Sequence, residues 1–196
     1  MECKMPDLSD LEVPLIRCLL PKLLAGEPLF NQKTGSYMRN FIRLLDHAIF
    51  EYMETRETVL ADVAEEKRPT EEMIRTGRQF HFIGFVNHFE ACINAVARVL
   101  KLLYRIKSEP NAPKFPRLLR RLTENQSKGI KDIRDAIEHM DEIIQKGELR
   151  PGQPIMLFMS AEGDKATIGG YHVEFATFAS LIRSLYEVAR YLLQIA

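Results

Sequence analysis

Arg134-Asp135-Ala136-Ile137-Glu138-His139 is the stretch of this sequence whose residue types and spacing are best suited to chemistry. A guanidinium presents a rigid fork of donors that matches phosphate oxygens, and an imidazole can give and take a proton near neutral pH. Around these residues Ile130, Ile133, Ile137, Met140 and Ile144 step by three and four, which predicts a helix from about Ser127 to Lys146 with that row as its buried face. Gly147 stands where a C′ residue would end it. At about 100° per residue, Arg134 and His139 fall on opposite shoulders of the buried face, roughly 140° apart. His139 shares its stripe with Asp132, Asp135, Glu142 and Lys146, so it is expected on a polar surface, with Asp135 one turn before it to orient the imidazole.

The spacing by itself is not specific, because Arg75 and His81 also satisfy an arginine-to-histidine interval, with five residues between them. Arg134 to His139 differs in three ways: a polar residue, Asp135, follows the arginine; the stretch lies on a late amphipathic helix; and both residues fall off the apolar row. An arginine, a polar residue, three more residues and a histidine on a late helix resembles the motif of the HEPN superfamily. The resemblance rests on these six residues and on the order of helices along most of the chain. It implies a bundle of four or five helices, and many such proteins are metal-independent endoribonucleases, often toxins of toxin–antitoxin or phage-defence systems, that act as dimers with the two motifs meeting at the interface. On this resemblance Arg134 and His139 are expected to be catalytic, with Asp135 orienting, no cofactor, an RNA substrate and a possible cognate antitoxin. The angular separation points the same way: one helix can hardly aim both groups at one phosphate, so a second chain is expected to complete the site.

The rest of the chain supplies the elements that must hold this helix. Residues 7 to 25 carry helix-like apolar spacing broken by Pro14 and Pro21, and Gly26 to Gly35 reads as a loop. Ser36 is a candidate N-cap for a helix of about 30 residues, with Met38, Phe41, Ile42, Leu45, Ile49, Tyr52, Met53, Leu60 and Val63 on its apolar face and Pro69 at its end. Thr70 is expected to cap a second long helix running to about Lys107, with Gly77, Gly84 and Ala91 on one stripe where another helix approaches. The two form a helical hairpin. After a proline-containing linker, Glu109 to Pro116, a short helix is expected at Arg117 to Leu122. Ile155 to Met159 and Ala166 to Ile168 bracket Glu162-Gly163-Asp164 as a β-hairpin, Gly169-Gly170 is expected only to bend the chain, and a last helix runs from about Phe175 to Ile195. The expected architecture is therefore all-α, an up-and-down bundle of four to five main helices with a small β-hairpin before the last one, in a single domain over residues 1–196.

Bulk properties exclude several classes. Apolar residues make up 46% and charged residues 28%, a globular balance, and 27 cations match 27 anions, so any attraction to nucleic acid must be local. Such a local surplus exists from Arg98 to Arg121, where eight cations face the single acid Glu109; Arg117, Arg120, Arg121 and Lys131 are candidate RNA contacts. The N-terminus shows no basic region followed by an apolar run and no stretch could span a bilayer, so a soluble, cytoplasmic protein without membrane contact is expected. Three cysteines without C-x-x-C spacing fit a reducing compartment. None of the five histidines has glutamate three residues before it, no zinc spacing or Gly-rich phosphate loop occurs, and so no metal is expected. Asn87, His88 and Asn94 in an apolar helix are expected to hydrogen-bond to one another, and His47 has no partner readable from spacing. Two other readings stand beside the ribonuclease: a non-catalytic helical interaction or dimerisation module, and a nucleotide-binding domain dependent on a partner.

Overall fold

In the computed structural model the described residues are 2–21, 31–110, 112–116 and 129–195. They are mostly helical, with a three-stranded antiparallel sheet before the last helix. The first long helix, α1 (Gln32–Glu66), has 35 residues and begins one turn earlier than the apolar pattern suggests. Asn31, not Ser36, is its cap: the Asn31 side chain accepts the Thr34 amide, whereas the Ser36 hydroxyl bonds back to the Gln32 carbonyl inside the first turn. In the proline-broken N-terminal region a short 3-10 turn forms at Leu15–Cys18. Asp46 of α1 holds it in place by accepting the Leu15 and Ile16 amides at 2.7 and 2.9 Å.

The expected helix from Thr70 to Lys107 is two helices. α2 (Thr70–Thr76) stops at Gly77, whose φ of 79° lies in the left-handed region, and α3 runs from Phe82 to Ser108. Thr70 makes no side-chain cap, since Pro69 is the residue before the first turn. The break holds because α1 satisfies the amides it frees: Gln79 donates to Glu65 and His81 to Asp62, each at 3.0 Å. Gly77 therefore leaves the small-residue stripe, and close approach survives at Gly84, where an added Cβ would meet Thr58 Cγ2 at 2.8 Å.

α1 and α3 run antiparallel, as contacts fall in residue number on one helix while rising on the other: Lys33 with Glu109, Ala48 with Cys92, Glu51 with His88, Thr58 with Gly84. Their apolar faces meet the last helix, α6 (Phe175–Ile195). The Phe89 ring stands edge-on to Phe175 and Phe178, with centroids 5.5 and 5.4 Å apart, and Tyr52 of α1 abuts Phe178 at 6.2 Å.

The expected hairpin has a third strand. β1 (Phe158–Met159) pairs with β2 (Lys165–Ile168), which pairs with β3 (Tyr171–Glu174). Gly169-Gly170 does more than bend the chain: it forms the two-residue connection that returns β3 along β2. Ala166, Ile168 and Val173 turn inward, and β3 leads directly into α6.

The motif helix is also divided. Residues 129–138 form α4, whose expected start near Ser127 lies outside the described residues, as do Arg117 to Leu122. α5 (Met140–Gln145) follows after an interruption at His139 (φ −116°, ψ 22°). Ile130, Ile133 and Met140 are buried as the spacing requires, but Ile137 is only partly buried beside the buried Ala136, and Ile144 is 49% exposed while Ile143 packs against the core. The inward face thus runs through Ile133, Ala136, Met140 and Ile143, one position before the isoleucine at each of 137 and 144. Gly147 behaves as expected: its amide reaches Ile144 O and the Glu148 amide reaches Ile143 O, which closes the helix end with paired carbonyls.

Candidate functional site

Arg134 lies midway along the first part of the interrupted helix and His139 at its interruption. α4 is anchored by Ile130, Ile133 and Ala136, so Arg134 rides on a rigid turn with its side chain 36% exposed. His139 sits at the interruption itself, 55% exposed, yet keeps both of its own helical hydrogen bonds: its amide donates to Asp135 O and its carbonyl accepts from Ile143 N, each at 3.0 Å. The imidazole thus stands on an irregular residue whose backbone hydrogen bonds are kept.

The polar partners differ from those that the spacing suggests. Arg134 donates to its own helix neighbour Glu138, with Nε and Nη2 at 3.0 and 2.6 Å from Oε1, while Asp135 lies at 4.0 Å from the guanidinium. His139 Nδ1 lies 3.3 Å from Glu142 Oε1, and Glu142 Oε2 is 3.5 Å from Lys146 Nζ. The expected orienting role of Asp135 is therefore corrected: its carbonyl takes the His139 amide, its carboxylate makes no contact with the imidazole, and Glu142 is the carboxylate that touches the ring. Residues three positions apart on a helix are neighbours, and the imidazole turns toward that one. Both glutamates were readable as i+3 and i+4 partners, and only the choice between neighbours one turn before and one turn after needed the coordinates.

Arg134 and His139 hydrogen-bond to different glutamates, Glu138 before the interruption and Glu142 after it. Lys131 is exposed one turn before Arg134, and Arg117, Arg120 and Arg121 lie outside the described residues. The alternative pair does not make a site: Arg75 is exposed on α2, and His81 begins α3 with its amide on Asp62.

A second polar group was not legible from spacing. Glu51 of α1 joins two histidines: Oε2 lies 2.7 Å from His88 Nδ1 on α3, and Oε1 lies 3.5 Å from His47 Nδ1 on its own helix. Glu51 is only 12% exposed, so the carboxylate is mostly withdrawn from water and its bond to His88 ties the two long helices together. The i, i+4 relation of His47 to Glu51 could have flagged half of it; the His88 half depends on the register between helices. His88 thus bonds across the helix pair, not to Asn87 or Asn94 as expected; Asn87 is exposed, and the buried Asn94 Oδ1 has no hydrogen-bond partner among the described residues. Just beneath, the Cys92 thiol donates to Ala48 O, and burial, with the nearby Glu51 charge, pushes its pKa well up. That thiol is a packing group and not a nucleophile.

Among the described residues no group of three or more His, Cys, Asp or Glu is arranged to hold a metal ion. No helix there is long and apolar enough to cross a membrane. Comparison with known proteins finds no family model, no curated protein and no solved structure that matches the chain.

Proposed function

We propose that this protein is a HEPN-like, metal-independent endoribonuclease whose site is assembled from Arg134 of one subunit and His139 of another. One observation carries the reading: both motif side chains face solvent and, among the described residues, hydrogen-bond only to exposed glutamates on their own helices. Such surface pairs contribute about 0.3–0.5 kcal/mol each, so a phosphate that offers the guanidinium two oxygens can displace Glu138 readily. Neither Arg134 nor His139 serves the core, which rests instead on Ile133, Ala136 and Met140.

In the proposed reaction His139 takes the proton of a ribose 2′-hydroxyl while Arg134 stabilises the charge growing on the phosphate oxygens. The bond from O2′ to phosphorus forms and the bond from phosphorus to O5′ breaks. The proton held by the imidazole then passes to O5′, leaving a 2′,3′-cyclic phosphate and a 5′-hydroxyl. Glu142 positions the imidazole. On the same reading the helices form an up-and-down bundle of four to five members, in which the antiparallel α1–α3 pair is one half. The protein works as a cytoplasmic homodimer, fits a toxin or phage-defence role, and takes a cognate antitoxin as partner.

The test is cleavage of mixed RNA by the purified protein in EDTA. We expect 2′,3′-cyclic phosphate ends, with His139→Ala slowing cleavage by about 10²- to 10⁴-fold, and Glu142→Ala slowing it more than Asp135→Ala. Equal cleavage by the wild type and His139→Ala, or none by the wild type even after denaturation and refolding to strip a bound inhibitor, overturns the proposal.

A further inference from the structure

Away from the motif helix, the antiparallel α1–α3 pair opens into a cleft of about 410 Å³. α1 contributes Tyr37, Asn40 and Leu44, and α3 contributes Arg98, Lys101 and Arg105. At about 100° per residue the three cations fall within a 60° arc, and at about 1.5 Å per residue they span roughly 10 Å along the helix. All three are exposed, and none has a carboxylate within ion-pair distance among the described residues. The acid nearest in sequence, Glu109, is taken by Lys33 at 2.7 Å. In a chain of zero formal net charge, three unpaired cations in one cleft are a local concentration that an anion would relieve.

The arrangement discriminates among anions. A compact phosphate needs donors that converge on a point, whereas these side chains stand in a row, as a strand of phosphates would meet them. The cleft also holds an aromatic ring: Tyr37 is half-buried against the core, and Lys33 Nζ lies 5.9 Å from its centroid. A fixed ring beside a row of cations is the combination that binds single-stranded nucleic acid, in which bases stack while phosphates follow the charges.

We propose that the α1–α3 cleft binds a single-stranded phosphodiester chain, with Arg98, Lys101 and Arg105 on successive phosphates and a base against Tyr37. This deepens the ribonuclease reading by naming where its substrate strand runs. It rests on that reading only for the choice of RNA as the natural ligand.

The experiment measures binding of fluorescent oligonucleotides of about 12 residues, one RNA and one DNA of the same sequence, to the full chain carrying His139→Ala. The DNA has no 2′-hydroxyl, so its binding is independent of whether the protein cleaves anything. We expect both strands to bind, RNA at least as tightly. Arg98→Ala/Lys101→Ala/Arg105→Ala should flatten the dependence of log affinity on log salt by about 0.7 for each phosphate that the variant no longer neutralises. The matched triple variant Arg17→Ala/Arg75→Ala/Arg190→Ala should keep the original slope. Tyr37→Ala should weaken binding about tenfold, and Tyr37→Phe, which retains the ring, should not. Circular dichroism verifies that each variant is folded. An unchanged slope in the cleft triple variant, no binding of either strand, or equal binding of an oligo-glutamate of the same length overturns the cleft proposal. Cleavage of RNA by a protein with an unchanged slope would leave the Arg134–His139 proposal standing alone, and tight DNA binding without RNA cleavage would leave the cleft standing alone.

Discussion

Glu138 and Glu142 govern what Arg134 and His139 do when no ligand is present. Each contacts its neighbour across one helical turn at the surface, where such pairs are weak and readily exchanged. Gly84 is the opposite case, a half-buried close approach between helices with no such exchange. Its missing side chain admits Thr58 from α1, and the Thr58 hydroxyl is itself fixed by a 2.6 Å bond to Thr55 O. Gly84→Ala gains about 1 kcal/mol of helix propensity but forces a clash that typically costs about 1–3 kcal/mol, so we predict net destabilisation. In a Thr58→Ala background the same change should become neutral or stabilising, because the atom it meets is gone. Chemical denaturation of the four variants checks this; equal effects of Gly84→Ala in both backgrounds would show that the helices do not meet there.

At the scale of elements, the motif helix shows why apolar spacing reads the face of a helix better than its continuity. Ile130, Ile133 and Met140 are buried as their spacing requires, yet Ala136 is buried where Ile137 was expected, and Ile144 is exposed while Ile143 packs against the core. The helix end, by contrast, is set by a local residue and was legible. Gly147 has a φ of 68°, and an added Cβ would find nothing within 4 Å, so Gly147→Ala carries a backbone cost and no packing cost. We predict a destabilisation of about 1–2 kcal/mol, with faster amide exchange in α5 than in α4; unchanged stability would mean that the end of α5 is not held as described. The break at Gly77 was not legible, because it depends on Glu65 and Asp62 of another helix accepting the amides of Gln79 and His81. The third strand was missed for a related reason. Gly169-Gly170 is turn chemistry, but the alternation in Tyr171-His172-Val173-Glu174 spans only four residues, and only Val173 among them is buried.

For the whole molecule, helical class, the last helix and the exposure of Arg134 and His139 all followed from periodicity. The partners of those residues and the α1–α3 cleft did not, since both depend on which turns come face to face. One hydrophobic cluster runs from Met5 to Leu192, and Arg183 of α6 clasps the N-terminal segment through Asp10 at 2.6 Å, so distant parts of the chain share one core. Within that frame Arg134 and His139 engage different glutamates, Glu138 and Glu142, and the proposed activity joins the two side chains across two copies. The most direct measurement mixes two variants that are each inactive, Arg134→Ala and His139→Ala, after joint unfolding and refolding. If the site is shared between subunits, half of the dimers are mixed and each holds one intact site, so RNA cleavage should return to about one quarter of the wild-type rate. A mixture as inactive as its components, from wild-type protein that does cleave RNA, would contradict a shared site.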